Sequence, residues 1–156
     1  MSIDAAKDYL REKGLEDRII ILDATTATVE AAAEALGVRP AEIAKTLSFL
    51  IGDKPILILT EGTARIDNKK YKQAFGAKAK MIPPGDVEAL VGHAPGGVCP
   101  FGVKDGVTVY FDESLRKFDI MYPAAGADHT AVKLTIPELE YAVKPEAWVD
   151  VTKEII

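Results

Sequence analysis

Apolar residues recur along this chain with two different periods, and the change from one to the other divides the sequence into elements. Ser2 to Lys13 places Ile3, Ala6 and Leu10 on one helical stripe, behind a capping serine and before Gly14, a residue favoured just past a helix end. Arg18 to Leu22 is a short β-branched run and reads as a strand. Thr28 is placed to cap a second helix, in which Val29, Ala32, Ala33 and Leu36 share a face up to Gly37. Pro40 then opens a brief helix ending near Ala44.

From Lys45 the period falls to two, with Lys45, Leu47, Phe49 and Ile51 on one side of a strand. Gly52-Asp53-Lys54 turns the chain into Pro55 to Thr60, a predicted hairpin. Asp67 is placed to cap a helix through Phe75, Lys78 to Ile82 reads as a strand, and Pro84 starts a helix that ends at Gly92. Val107 to Phe111, Phe118 to Tyr122 and Ala131 to Thr135 read as strands, Pro137 starts a last helix, and Ala147 to Val151 is strand-like. Strands that occur both side by side and separated by helices predict an α+β fold. Its mixed, largely antiparallel sheet would curl into a barrel-like core with flanking helices, unlike a doubly wound parallel fold. No low-complexity stretch, long linker or fixed repeat divides the chain, so residues 1–156 are read as one domain.

Composition narrows the function. With 156 residues, 48% of them hydrophobic, the chain can bury a core without disulfides or a structural metal. Nineteen Lys and Arg against 24 Asp and Glu leave a net charge of -5, which argues against a protein that coats DNA or RNA through bulk charge. Cys99 is the single cysteine, which excludes an intramolecular disulfide and points to a reducing compartment. No basic segment precedes an apolar run at the N-terminus, and no stretch approaches 18 apolar residues, so a cytoplasmic protein with no membrane partner is expected. One cysteine and two distant histidines have no recognisable ligand spacing, so neither a metal nor another cofactor is expected.

Several residues could carry chemistry. Lys45 begins a strand on its apolar side, so its ammonium must either snorkel to water or meet an anion at a pocket mouth. Gly92 to Gly102 holds four glycines and two prolines besides His93 and Cys99. Such a loop is either a tight helix-to-strand turn or a stiff frame whose N–H groups hold a carbonyl or developing oxyanion. It lacks the Lys-Ser/Thr ending of a phosphate-binding P-loop. Cys99 is either a small buried side chain or a nucleophile with His93 or His129 as base. The small-residue loop Pro123 to Thr130 carries Asp128 and His129, which could line a ligand pocket or merely cap a turn facing solvent. Residues 65–80 hold Arg65, Lys69, Lys70, Lys72, Lys78 and Lys80 against Asp67 alone, a solvated face or a phosphate-backbone contact.

Taken together, Ala44-Lys45-Thr46-Leu47-Ser48-Phe49, Gly92-His93 with Gly96-Gly97-Val98-Cys99-Pro100-Phe101-Gly102, and the Ala125-Gly126 loop before a terminal strand resemble the YbaK-like family. These are freestanding relatives of the editing domain inserted in bacterial prolyl-tRNA synthetases. The resemblance runs through nearly the whole chain in order and spacing. It implies hydrolysis of the ester of a mischarged aminoacyl-tRNA, with Cys- or Ala-charged proline tRNA as the expected substrate and a synthetase as a further partner. It implies that Lys45 helps hold the acyl-adenosine end and that backbone groups of Gly96, Gly97, Val98, Cys99 and Pro100 position the aminoacyl carbonyl. Thr46, Phe101, Gly102, Gly126, Asp128 and His129 would contact substrate, and Lys69, Lys70 and Lys72 would meet the tRNA. No protein nucleophile is implied: a water or the substrate's own thiol attacks. Where some members have Gly-Leu-Asp before the last strand, this chain has Ala127-Asp128-His129-Thr130, which leaves the amino acid removed open. A non-catalytic module for tRNA ends or synthetases, and a cysteine hydrolase, are the alternatives.

Such chemistry is energetically reasonable. A synthetase pocket separates near-isosteres by only about 1–3 kcal/mol, so a second hydrolytic sieve adds needed selectivity. An aminoacyl ester is already activated, so positioning and oxyanion stabilisation suffice without a triad.

Overall fold

The computed structural model describes residues 2–25 and 28–154. Helix α1 (Ser2–Glu12) buries Ala6 and Leu10, and strand β1 (Ile19–Ile21) follows. Helix α2 (Val29–Leu36) is closed at both ends by local chemistry. The Thr28 hydroxyl accepts the Ala31 N–H, and Gly37 takes the left-handed conformation at φ 71°.

The centre of the molecule is the hairpin of β2 (Ile43–Ile51) and β3 (Lys54–Glu61), paired antiparallel from Ala44↔Glu61 to Ile51↔Lys54. Then come β4 (Arg65–Ile66), α3 (Asn68–Phe75) and α4 (Pro84–Val91). Asp67 starts α3 by accepting the N–H groups of Lys69 and Lys70. After the glycine-rich loop lie β5 (Thr108–Asp112), β6 (Ile120–Pro123), β7 (Thr130–Val132) and β8 (Leu134–Thr135). Helix α5 (Ile136–Val143) begins with a capping box between Thr135 and Glu138, and β9 (Trp148–Val149) and β10 (Thr152–Lys153) end the described chain.

The main sheet has the order β8-β6-β2-β3-β5-β9 and curls into a half barrel. The β2–β3 and β6–β8 joins are antiparallel, while β2–β6, β3–β5 and β5–β9 are parallel. The sheet is thus mixed as the sequence predicts, and the long hairpin makes most of the pairing antiparallel. Two small antiparallel pairs, β1–β7 and β4–β10, complete it. On one side Leu10, Leu59, Phe101, Phe111, Met121 and Leu139 form the largest core; elsewhere Phe49, Ile58 and Tyr71 form a second. Each large side chain so buried stabilises the fold by about 1.5–3 kcal/mol. No helix among the described residues is long and apolar enough to cross a membrane.

Some predicted elements change. Strand β2 starts at Ile43, and the short helix before it ends at Glu42, because Ile43 and Ala44 pair with Tyr122 and Pro123 of β6. Lys78 to Ile82 is not a strand: it bridges β2 only at Phe49↔Met81, with Leu50 N–H donating to Lys80 O and Ile82 N–H to Ser48 O. Pro83 and Pro84 follow at once and cannot extend the ladder. The predicted final strand, Ala147 to Val151, shortens to β9, and a separate β10 that was not predicted follows it, because the buried Asp112 carboxylate captures the Val151 N–H at 2.9 Å and the Thr152 hydroxyl at 2.7 Å.

Candidate functional site

A cavity of about 180 Å³ lies where α2, the start of β2, the β6–β7 connection and the glycine-rich loop meet. Val29 and Ala32 border it from α2, and Tyr122, Ala124, Thr130 and Ala131 from β6, β7 and the loop between them. Ile43, Ala44, Lys45 and Thr46 of β2 line it, and Gly96 and Val98 face it from the loop.

Lys45 is half-buried, and its Nζ donates to the carbonyl of Ala64. Burial holds its pKa below the ordinary lysine range and nearby Arg65 acts in the same direction, while Glu61 and Glu30 oppose the shift. No carboxylate lies within ion-pair distance of it among the described residues. An ammonium has three N–H donors, and one carbonyl uses one of them, so two remain for a ligand at the cavity wall. Next to it, the buried Thr46 hydroxyl has no hydrogen-bond partner among the described residues. A buried hydroxyl in that state costs about 1–3 kcal/mol, which a ligand reaching it would recover.

The glycine-rich loop owes its shape to its sequence. Ala94-Pro95-Gly96-Gly97 is a turn closed by Gly97 N–H to Ala94 O at 3.0 Å, with proline at its second position and Gly96 at φ 92° at its third, the type II arrangement. A Cβ on Gly97 would stand 2.6 Å from Ala127 N, so the loop is pressed directly against the backbone at Gly126 and Ala127. Among the described residues the N–H groups of Gly96 and Val98 have no acceptor within the protein. Two backbone donors at a cavity wall, fixed by turn geometry, are suited to a carbonyl oxygen that gains negative charge.

Behind the loop sits the one cysteine. Cys99 Sγ is 3.5 Å from His93 Nε2, so the fold does bring together the pair that six residues separate in sequence. Their state excludes a thiolate–imidazolium couple. Cys99 is fully buried in the main core and does not border the cavity, and burial pushes its thiol up to about 12. His93 Nε2 lies 2.7 Å from the Phe101 carbonyl, which can only accept, so Nε2 carries the proton and cannot take one from the thiol. Burial also lowers the pKa of His93, which keeps the ring neutral. The nucleophile reading of Cys99 is therefore corrected to a packed core side chain.

The remaining expected residues separate. Gly97, Pro100, Phe101, Gly102 and Gly126 shape or support the loop rather than border the cavity. A Cβ on Gly102 would meet the Ala5 carbonyl at 2.5 Å, so α1 packs against this end of the loop. Asp128 and His129 lie 3.3 Å apart on the exposed side and do not border the cavity, contrary to the expected pocket role. Their neighbour Thr130 does border it, and its hydroxyl accepts Ala125 N–H at 3.0 Å and donates to Ala127 O at 2.9 Å, tying the loop into a fixed turn. Lys69 and Lys72 are exposed and border a separate hollow with Lys78, whereas Lys70 is drawn to Asp150 at 3.1 Å and to Thr152 O at 2.9 Å. Sequence reasoning missed Val29, Ala32, Tyr122 and Thr130. Only long-range packing brings these four together. No group of three or more metal-ligating side chains occurs among the described residues.

Residues 23–141 match the family described as the aminoacyl-tRNA editing domain. The chain is 42% identical over 155 residues to YwhH of Bacillus subtilis, covering 99% of both proteins. It is 29% identical over 128 residues to EbsC of Enterococcus faecalis, named as a candidate Cys-tRNA(Pro)/Cys-tRNA(Cys) deacylase, covering 80% of this chain and 77% of that one. A crystal structure described as a candidate trans-editing enzyme for prolyl-tRNA synthetase superposes with a TM-score of 0.87 at 27% identity, covering 97% of each chain.

Proposed function

The chain belongs to the aminoacyl-tRNA editing domain family, and from that premise we propose that it is a trans-editing deacylase. In this reading it hydrolyses the ester of mischarged tRNA, with Cys- or Ala-charged proline tRNA as the substrate to test first. The observation that carries the reading is the meeting of Lys45 with Gly96 and Val98, whose N–H groups have no acceptor among the described residues, around one small cavity.

The terminal adenosine lies against Lys45, whose two spare N–H donors take its oxygens. The ester carbonyl points at Gly96 and Val98. Attack at the carbonyl carbon by a water, or by a thiol of the substrate itself, forms a tetrahedral centre whose oxyanion those N–H groups stabilise. Collapse breaks the bond to the ribose oxygen, which leaves with the proton given up by the attacking group; attack by water frees the amino acid directly, whereas attack by the thiol leaves a cyclic thioester that water then opens. Cys99 takes no part, because its thiol is buried and protonated.

A cavity of about 180 Å³ with Val29, Ala32, Ala124 and Val98 in its wall suits an aminoacyl group with a small uncharged side chain. In this reading Lys69 and Lys72, exposed around a separate hollow, meet phosphates farther along the RNA, while Lys70 is already engaged with Asp150. A synthetase that releases such mischarged tRNA is the natural second partner.

The test is release of amino acid from proline-acceptor tRNA charged separately with cysteine, alanine and proline. Loss of a noncognate ester with prolyl-tRNA spared supports the reading. Tight binding of all three with no turnover would replace it with a non-catalytic tRNA-end module.

A further inference from the structure

The β4–β10 pair places Arg65 directly opposite Lys153. Opposed residues of an antiparallel pair project from the same face with Cβ atoms about 4.5–5.5 Å apart, and like charges there are destabilising. Both residues are exposed, and neither makes an ion pair among the described residues. The nearby carboxylates are engaged elsewhere. Asp67, which faces Lys153, accepts the N–H groups of Lys69 and Lys70; Glu154 pairs with Lys117; and both oxygens of Glu61 take the Thr63 hydroxyl.

This repulsive arrangement is firmly built. The Asp67 N–H donates to Val151 O at 2.8 Å on one side, and Asp112 holds Val151 and Thr152 on the other. It also adjoins the cavity: Ala64, whose carbonyl receives Lys45 Nζ, is the residue before Arg65. Arg65 is near enough to Lys45 for its charge to be felt there. Three cations thus run from the cavity wall outward in a chain whose net charge is -5.

We propose that Arg65 and Lys153 form a phosphate-binding pair that takes the backbone of the unpaired RNA 3′ end as it leaves the cavity past Lys45. The inference rests on the deacylase reading for the identity of that RNA. A phosphate between the two side chains would turn a cross-strand repulsion into two charge-assisted contacts. The pair reads no sequence, because phosphate contacts position a strand without identifying its bases.

The test compares the full-length wild type with an Arg65→Gln/Lys153→Gln double variant on two substrates, charged full-length tRNA and the corresponding aminoacyl-adenosine, which has no upstream phosphate. On tRNA the variant should show KM raised about 10-fold with kcat unchanged. The slope of log affinity against log salt should be shallower by about 0.7, the value for one phosphate on a single strand. Kinetics on aminoacyl-adenosine should not change. An unchanged KM and salt slope, or an equal loss on both substrates, would each overturn the proposal. If the wild type deacylates nothing, the enzyme reading fails separately. Binding of a short 3′-CCA RNA by the two proteins then decides the pair: weaker binding and a shallower salt slope for the variant support it, and equal binding overturns it.

Discussion

His93 holds the carbonyl of Phe101 through its Nε2–H at 2.7 Å, and this buried contact ties the end of α4 to the far side of the glycine-rich loop. The ring does not border the site cavity, so its role is to position the loop that carries Gly96 and Val98. His93→Ala leaves the Phe101 carbonyl without its donor and should cost about 1–3 kcal/mol by urea denaturation. It should also lower kcat. His93→Gln, which can place an N–H near the same point, should recover most of both.

Cys99 should be dispensable for turnover. Cys99→Ala is expected to keep deacylation within about two-fold of wild type while losing about 1–2 kcal/mol of stability, the cost of a small void in the core. A thiol reagent applied to the native protein should leave the rate unchanged, because the sulfur is fully buried. Inactivation that tracks labelling of Cys99 would restore the nucleophile reading.

Gly97 is required by close approach. In Gly97→Ala the new Cβ would stand 2.6 Å from Ala127 N, so one of the two loops must move. The expected result is a loss of about 1–3 kcal/mol together with a fall in kcat, checked by denaturation and single-turnover release.

The acid limb of stability should depend on Glu138. Arg18 grips its carboxylate at 2.7 Å and 2.8 Å and the Thr135 N–H donates to it at 2.9 Å, which lowers its pKa to about 2. A carboxyl whose pKa is lower folded than unfolded adds stability that is fully present above the ordinary glutamate range. That stability is lost as pH falls toward the folded value. Glu138→Gln should therefore lose about 0.5–1 kcal/mol at pH 7, discounted for partial exposure, and show a flatter decline between about pH 4.5 and about pH 2 in pH-dependent melting.

What the sequence made legible was local chemistry. Thr28, Gly37, Asp67 and Pro84 mark helix ends through contacts made within a few residues, and the period-two run after Lys45 marks the central hairpin. The cavity face of that hairpin could be placed as well, because Lys45 is conspicuous at an apolar strand's start. Contacts made across long separations were hidden. Asp112 creates the break between β9 and β10 from about 40 residues away, and Tyr122 and Thr130 reach the cavity only because β6 and β7 pack beside β2 and β1. Asp128 and His129 looked like pocket residues by type, yet the turn fixed by Thr130 leaves them on the outside. Lys70 looked free until β10 supplied Asp150 and Thr152 as neighbours.

The central claim is that Lys45, at the wall of the small cavity, holds the substrate for hydrolysis. Single-turnover release of cysteine or alanine from charged proline-acceptor tRNA, by the wild type and by Lys45→Ala at equal folded concentration, tests it most directly. The expected result is release by the wild type and a rate at least about 100-fold lower in the variant, the scale for losing one charged or oxyanion-directed donor. A Lys45→Ala protein that releases the same amino acid at the wild-type rate would contradict it.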